Sequence, residues 1–263
     1  MKPDRALLNT DRVHELAAIL WRYNTLKSEN RQVNGNYSMK KHYPFLFFDA
    51  DGTLFDYNTA EATALKQTFH SLRLPYEDSY LDVYQRINAG LWQALEKQEI
   101  TPAVLRFRRF ELLLENLQLR GPSDQMSSVY IEQLAICSQL MDGALEVLQA
   151  LHKNSRLVIV TNGLQAVQHS RLANSAIRDL ISDIVISEEI GAAKPHTQFF
   201  DIAFSKVGNP PRDQVLIIGD SLTSDMQGGA NYSIDTCWFN PAGEPRPDHP
   251  PIMYEIQIGR AHV

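Results

Sequence analysis

The chain has 263 residues, of which 44% are hydrophobic and 21% are charged, and its formal net charge is -6. That length supports one large domain, or a core domain together with a smaller one. The composition excludes disordered, fibrous and collagen-like proteins. The mild negative charge excludes a general attraction to nucleic acid or anionic lipid, so we expect neither a nucleic acid polymer nor a membrane as partner.

Neither the cysteines nor the apolar segments indicate a secreted or membrane protein. Cys137 and Cys237 form no CxxC pair and no zinc pattern, which is typical of reduced cysteines packed in a core. No apolar run approaches the roughly 20 residues that span a bilayer, and the charged N-terminus does not resemble a signal peptide. We therefore expect a soluble, cytoplasmic protein.

Both ends of the chain differ from the rest. Residues 28–38 form a polar stretch, and Met39 then begins a short basic run that leads into an apolar strand. We expect residues 1–40 to be a flexible extension or an upstream mistranslation, with an extra helix packed on the core as the alternative. The last six residues, IGRAHV, resemble a translated sequencing adapter, so we expect residues 258–263 to be an artefact tail.

Short apolar runs predict strands that are covered on both faces. Five such runs lie at residues 45–48, 157–160, 184–186, 215–218 and 236–239. Helical patterns lie at residues 143–153, 164–175, 198–207 and 224–230. Strands that alternate with helices predict an α/β fold, here a Rossmann-like parallel sheet with right-handed crossovers.

Residues 58–139 interrupt this alternation. They contain no strand pattern, and prolines punctuate them at or near predicted helix starts. Four helices are predicted at about 59–73, 77–97, 102–118 and 124–139. An all-helical insert directly after the first strand predicts a separate cap over residues 58–139, on a core formed by residues 41–57 and 140–257.

Acidic residues follow the first and fourth predicted strands, at the sheet edge where parallel α/β proteins bind ligands. Asp49 and Asp51 flank one residue, so on an extended strand their side chains would share a face. Two carboxylates at such a short distance repel each other, and a divalent cation bound between them would relieve the repulsion. With Asp220 they would form an oxygen-only site suited to Mg²⁺, with Mn²⁺ as the alternative ion.

The same sheet edge carries residues suited to phosphoryl transfer. One carboxylate can be the nucleophile, and the other can protonate the leaving alcohol and later accept a proton from water. The Thr161 hydroxyl and the Asn162 amide suit a phosphoryl group, and Lys194 adds positive charge. Each of these residues, and Asp225 as well, could singly be a turn, cap or surface residue. Their combination at successive strand ends favours a functional site.

The order DxDGT, TN, KP and GDxxxxD resembles the haloacid dehalogenase (HAD) superfamily, over roughly residues 45–239. The resemblance implies that Asp49 is the nucleophile and Asp51 the general acid/base. Members that displace halide lack the second carboxylate, because their reaction has no alkoxide leaving group to protonate. Its presence here favours hydrolysis of phosphate esters.

The resemblance also assigns roles to the remaining motif residues. It implies phosphate binding by Thr161, Asn162 and Lys194. It implies Mg²⁺ held by Asp49, the backbone carbonyl of Asp51, and Asp220, with Asp225 in a supporting role. The helical insert resembles the C1 cap of the superfamily.

Within the superfamily, the chain is similar to bacterial noncanonical pyrimidine 5'-nucleotidases. The similarity lies in FFDADGTLFDY, IVTNG, VISEEIGAAKP and the predicted cap segment NAGLWQALEKQEIT over residues 88–101. It implies a small phosphomonoester substrate, a nucleoside monophosphate with a pyrimidine base. Two related activities stay open: a sugar-phosphate or phosphoglycolate phosphatase, and a phosphomutase. A non-enzymatic binding module is the alternative of another class, but it would have lost a motif residue, and none is lost.

Aromatic and basic residues of the predicted cap could contact a substrate. For Trp92 and Phe110, packing in the cap core is the simpler expectation. For Arg106, Arg108 and Arg109, a solvated helix face is the simpler expectation, with ligand contact as the alternative.

Overall fold

A computed structural model describes residues 42–256. The expected extension over residues 1–40 and the expected tail over residues 258–263 lie outside these residues. One parallel sheet runs through the described chain in the strand order β3-β2-β1-β4-β5-β6. Its strands are β1 (Phe45–Phe48), β2 (Arg156–Thr161), β3 (Asp183–Ile186), β4 (Val215–Gly219), β5 (Asp235–Phe239) and β6 (Tyr254–Ile256).

Strand β1 lies inside the sheet, between β2 and β4, and its wholly apolar sequence suits this buried position. Its first residue, Phe45, aligns with Arg156 of β2 on one side and with Val215 of β4 on the other. Leu46 and Phe48 face one apolar layer. Phe47 faces the opposite layer. The sequence-based expectation of strands covered on both faces is therefore confirmed.

Helices connect the strands and form the insert. In chain order they are α1 (Tyr57–Ser71), α2 (Ser79–Glu96), α3 (Pro102–Leu117), α4 (Ser123–Ile136), α5 (Ala144–Leu151), α6 (Gln165–Ala173), α7 (Ser187–Ile190), α8 (Thr197–Lys206) and α9 (Gln227–Tyr232). A π-helical turn, Leu222–Met226, precedes α9. Short 3₁₀ turns cover Arg178–Leu180 and Arg212–Gln214.

The insert consists of α1 to α4, in agreement with the four predicted helices. Helix α3 begins with Pro102 in its first turn, and the Thr101 side chain caps it by accepting a hydrogen bond from the Val104 N–H. The apolar interior of the insert continues into α6 through Leu164 and Val167. The insert therefore packs on a core helix, and its division as a separate cap over residues 58–139 stays a prediction.

Two chain segments join the insert to the core side by side. We call them the linker pair, residues 54–56 and 139–141. The Asp56 N–H donates to the Gln139 carbonyl at 3.0 Å, and the Met141 N–H donates to the Leu54 carbonyl at 2.9 Å. Phe55 lies between these two bonds and is fully buried. Any movement of the insert relative to the sheet must therefore change the conformation of the linker pair.

Two expectations drawn from composition concern cysteines and membrane spans. Cys137 and Cys237 are both free, and Cys237 is buried in the core. Over residues 42–256, every helix is too short or too polar to cross a bilayer.

Candidate active site

Lys194 and Asp49 form the buried centre of the site. Asp49 directly follows β1, and its backbone N–H donates to the Ile218 carbonyl of β4 at 2.8 Å. The Lys194 ammonium donates to Asp49 Oδ1 at 2.6 Å, to Asp225 Oδ1 at 2.7 Å and to the Val160 carbonyl at 2.7 Å. These three bonds use all three donors of an ammonium group. Lys194 therefore orients Asp49, and direct phosphate binding by Lys194 stays a prediction.

Three carboxylates converge at this centre. Oxygens of Asp49, Asp220 and Asp225 all lie within 4.8 Å of one another. Burial raises the pKa of Asp49 well above its usual range; Lys194 opposes that rise, and the charges of Asp225 and Asp220 add to it. Burial, followed by the charge of Asp225, raises the pKa of Asp220 to about 7.

This acidic cluster fits a divalent cation. Its donors are hard carboxylate oxygens, which suit Mg²⁺. The cluster also carries more negative charge than the one ammonium of Lys194 neutralises, and after burial the charge of Asp225 adds to the rise in the pKa values of Asp49 and Asp220. Asp225 belongs to the cluster as closely as Asp49 and Asp220, two of the three residues expected to hold the metal.

The structure separates the side chains of Asp49 and Asp51, which were expected to share a face. After Asp49 the chain leaves the strand conformation and turns, with the Leu54 and Phe55 N–H groups both donating to the Ala50 carbonyl. Gly52 permits this turn, since it has a φ of 82°, and a Cβ there would lie 2.6 Å from Asp220 Oδ2. The carboxylate of Asp51 consequently lies outside the acidic cluster.

Two side chains that the sequence analysis did not single out hold the Asp51 carboxylate. Gln168 Nε2 donates to Asp51 Oδ2 at 2.6 Å, and Arg171 Nη1 forms a short ion pair with Asp51 Oδ1. Both residues lie on α6 and are buried. The sequence pattern of a helix does not distinguish a glutamine or arginine of this kind from one that packs in the core or faces solvent. Neither residue belongs to a strand-end motif.

Two of the three predicted phosphate-binding residues, Thr161 and Asn162, lie at the end of β2. Thr161 is buried, and its hydroxyl oxygen accepts a hydrogen bond from the Gly163 N–H at 3.0 Å, which leaves its O–H free to donate. Asn162 instead braces the Lys194 backbone, because its side chain donates to the Lys194 carbonyl at 2.9 Å and accepts from its N–H at 2.8 Å. Phosphate contact by these residues stays a prediction.

The arginines of α3 differ from the expected solvated face. Arg109 is almost fully buried, with its guanidinium carbon 4.6 Å from the centre of the Tyr130 ring. Arg106 reaches the core and pairs with Glu188 at 2.5 Å. Only Arg108 lies on a solvated face, paired with Glu111 of its own helix. The expectation is wrong for Arg109 and Arg106, because a helix packed on both sides leaves little surface exposed.

Aromatic residues of the insert match the packing expectation in part. Phe110 is fully buried, whereas Trp92 is half-buried. Glu61 lies nearby in the interior of the insert, where it accepts hydrogen bonds from Asn88 at 2.9 Å and from Gln85 at 3.0 Å.

A cavity of about 470 Å³ opens beside the acidic cluster. Asp51, Asp220 and Tyr57 from the start of α1 line it. Trp238 near the end of β5, and Asn240 and Glu244 after that strand, line it as well. Asp51 and one carboxylate of the acidic cluster, Asp220, therefore border a space that a small molecule can enter.

Comparison with known proteins places this site in a family context. The Bacillus subtilis HAD-hydrolase YfnB is 36% identical over 219 residues, which is 82% of this chain and 92% of YfnB. A magnesium-bound crystal structure of YfnB superposes with a TM-score of 0.78 at 35% identity, covering 82% of this chain and 95% of that one. The fold class, a Rossmann-like α/β sheet, is thereby confirmed.

Two further relatives are pyrimidine 5'-nucleotidases. YjjG of Escherichia coli is 36% identical over 207 residues, 78% of this chain and 90% of YjjG. PynA of Streptococcus pneumoniae is 34% identical over 200 residues, 76% of this chain and 84% of PynA. The family model of the haloacid dehalogenase-like hydrolases matches residues 44–232. The chain therefore belongs to the haloacid dehalogenase-like hydrolase family.

Proposed function

We propose that this protein is a Mg²⁺-dependent phosphatase that hydrolyses nucleoside 5'-monophosphates and prefers pyrimidine bases. The observation that carries the proposal is the pair of carboxylates in one loop with different surroundings. Asp49 lies in the acidic cluster against Lys194, whereas Asp51 lies two residues away, held by Gln168 and Arg171. Two carboxylates in unlike environments are suited to two different roles in one reaction.

In the first half of the proposed reaction, a carboxylate oxygen of Asp49 attacks the phosphorus of the substrate. The bond from phosphorus to the ester oxygen breaks, and Asp51 gives its proton to the departing alkoxide. The products are the free nucleoside and an aspartyl-phosphate at Asp49. Lys194 supports this role because it fixes the orientation of Asp49 and remains protonated: the Asp225 and Asp49 carboxylates raise its pKa above the usual value even though burial lowers it.

In the second half, water attacks the phosphorus of the aspartyl-phosphate and gives a proton to Asp51. Inorganic phosphate leaves and Asp49 is restored. Thr161 can donate its hydroxyl proton to a phosphoryl oxygen beside Asp49. Mg²⁺ held by Asp49 and Asp220, with Asp225 beside them, would neutralise the negative charge of the carboxylates and the phosphoryl group.

The preference for pyrimidine nucleotides is supported by two relatives of about one-third identity, YjjG and PynA, which are pyrimidine 5'-nucleotidases. The relative YfnB has been crystallised with magnesium bound, which supports the choice of this ion. The chain matches these relatives through the insert as well as the sheet, since the alignments cover at least 76% of it. The leaving group of the proposed reaction is the nucleoside, so an insert that covers it could select between pyrimidine and purine bases.

Phosphate release from a panel of monoesters tests the proposal. The panel contains uridine, thymidine, adenosine and guanosine 5'-monophosphates, phosphoglycolate and a hexose phosphate, each with Mg²⁺ and with a chelator. We expect Mg²⁺-dependent release that is fastest with the two pyrimidine nucleotides. Faster release from phosphoglycolate or the sugar phosphate would contradict the substrate assignment, and isomerisation of the sugar phosphate without phosphate release would identify a mutase.

A further inference from the structure

We propose that Arg171 and Gln168 are positioning residues that fix the orientation of the Asp51 carboxylate and tie it to the linker pair. The inference rests on the proposed function, because it concerns the residue that protonates the leaving alcohol. Neither residue belongs to the four strand-end motifs. Their role follows from three contacts: with the carboxylate, with the chain that leaves the insert, and with the chain that enters it.

The first contact restrains both oxygens of Asp51. Oδ2 accepts from Gln168 at 2.6 Å, and Oδ1 pairs with the guanidinium of Arg171. A carboxylate held at both oxygens cannot rotate without breaking a hydrogen bond to a buried donor. Each oxygen keeps a second lone pair, so the restrained group can still carry a proton on the side that faces the cavity.

The second and third contacts connect Arg171 to the chain on both sides of the insert. Its Nε donates at 2.7 Å to the carbonyl of Cys137, which directly follows α4 and precedes the linker pair at the exit from the insert. Its guanidinium carbon lies 5.1 Å from the centre of the Phe55 ring, at the entry to the insert. A shift of the insert that moves Cys137 or Phe55 must therefore move the guanidinium that holds Asp51.

Burial makes a purely structural role for Arg171 costly. Its side chain is completely buried, and within residues 42–256 its only carboxylate partner is Asp51, whose side chain is 25% exposed. Burying a guanidinium without several compensating bonds is unfavourable, and a packed apolar side chain of similar size would stabilise the helix interface as well or better. Gln168 adds a second buried polar group directed at the same carboxylate.

Helix α6 provides a rigid base for this arrangement. Gln168 and Arg171 are three residues apart, so their side chains lie on the same face of the helix. The helix starts at Gln165, shortly after Thr161 ends β2 and Asn162 follows it. The same helix contributes Val167 to the apolar interior of the insert. One short helix thus links the proposed phosphate site, the proposed acid and the insert.

The proposal predicts an effect that depends on the leaving group. Departure of a nucleoside 5'-alkoxide needs a correctly placed proton, whereas departure of p-nitrophenolate does not. The parameter kcat/KM reports the steps up to and including this departure, so it isolates the acid role of Asp51 from the later hydrolysis. A loss of fold or of phosphate binding would lower kcat/KM for both substrates alike, since the two share the phosphoryl group.

The experiment compares Arg171→Met and Gln168→Leu with the parent enzyme, using uridine 5'-monophosphate and p-nitrophenyl phosphate at saturating Mg²⁺. General acid catalysis contributes about 100- to 10,000-fold, so a misplaced acid should lower kcat/KM for the nucleotide about 30-fold or more. The value for p-nitrophenyl phosphate should fall less than about threefold. Arg171→Lys should restore part of the nucleotide activity. Arg178→Met, at an exposed arginine that pairs with Asp179, is the matched control and should change neither value.

A double-mutant cycle makes the test independent of a loss of stability. In an Asp51→Asn background, Arg171→Met should cost little further kcat/KM on the nucleotide, because both changes remove the same function. Equal losses on the two substrates, or fully additive losses in the cycle, would overturn the proposal. If Arg171→Met fails to fold, Gln168→Leu, which leaves no buried charge unpaired, decides the question alone. Absence of phosphate release by the parent enzyme would instead contradict the proposed function.

Discussion

At the scale of single residues, the site depends on one buried ammonium surrounded by carboxylates. Lys194 contacts Asp49 and Asp225 from the middle of the protein, with both pairs at hydrogen-bond distance. Such a charge is costly to bury by itself, and it is tolerated because each of its three protons has an acceptor. The arrangement fixes the direction of Asp49 before any substrate arrives, and such positioning would raise the rate of attack by this proposed nucleophile.

Lys194→Met should destabilise the protein, because it leaves Asp49 and Asp225 buried without their counter-charge. Removing one partner of a buried pair costs about 3–5 kcal/mol. The measurement is urea unfolding in the presence of a chelator. The double variant Lys194→Met with Asp225→Asn should recover part of the loss, since one fewer charge is left unpaired. A single variant as stable as the parent protein would contradict this account of the site.

The sequence predicts the residues of the site where chemistry and strand position coincide. Asp49, Thr161 and Asp220 each stand at a strand end, and the parallel sheet brings such ends together, whereas Lys194 lies in the loop between α7 and α8. Arg171 offers no such signal, because an arginine within a helix is usually solvated. The direction of the Asp51 side chain was equally hidden, since the turn after Asp49 depends on a Gly52 conformation that no strand pattern indicates.

At the scale of elements, strands β1 to β5 were predictable from the sequence, whereas the edge strand β6 was not. Four of the five predicted strands were each extended by one or two residues, and β1 was found with the same bounds. Strand β6, Tyr254–Ile256, was missed because three residues in a proline-rich region show no alternation. The predicted helix over residues 224–230 proved to be a π-helical turn followed by α9, since the Met226 N–H donates to the Ser221 carbonyl five residues earlier, at 3.1 Å.

The insert should depend on its own aromatic core. Tyr84, Phe110 and Tyr130 lie with their ring centres 5.4–5.7 Å apart, and all three are fully buried. Phe110→Ala should therefore cost about 3–5 kcal/mol of stability, from lost burial and the cavity that remains. Phe107→Ala is the matched control on the same helix. Its side chain is exposed, so the change should stay within about 0.5 kcal/mol.

Chemical denaturation of the two variants measures this difference. Similar losses for Phe110→Ala and Phe107→Ala would contradict the packing of the insert described above.

At the scale of the whole molecule, stability, pH and metal binding are linked through the acidic cluster. Burial and Asp225 raise the pKa of Asp220 to about 7 in the folded protein without metal. An unfolded aspartate has a pKa of about 3.9. The folded protein therefore binds more protons than the unfolded chain between these two values, so its stability falls as the pH rises from about 4 to about 7.

Magnesium should reverse this pH dependence. A cation binds deprotonated carboxylates, so below pH 7 Mg²⁺ must displace the proton of Asp220. The apparent Kd for Mg²⁺ should therefore rise about tenfold for each unit by which the pH falls below 7. We expect the increase in Tm caused by Mg²⁺ to be small at pH 5 and complete above about pH 7.5. Thermal scans with and without Mg²⁺ measure it, with Asp220→Asn as control. A Tm increase that is independent of pH would contradict the assignment.

The proposed reaction phosphorylates Asp49 during each turnover. Sodium borohydride reduces an acyl phosphate to an alcohol, so quenching the enzyme during hydrolysis of uridine 5'-monophosphate should convert Asp49 to homoserine, which mass spectrometry of the peptide locates. We predict homoserine at position 49 only when substrate and Mg²⁺ are both present, and none in Asp49→Asn. Active enzyme that carries homoserine at another residue would contradict the account, as would Asp49→Asn with phosphate release at the parent rate.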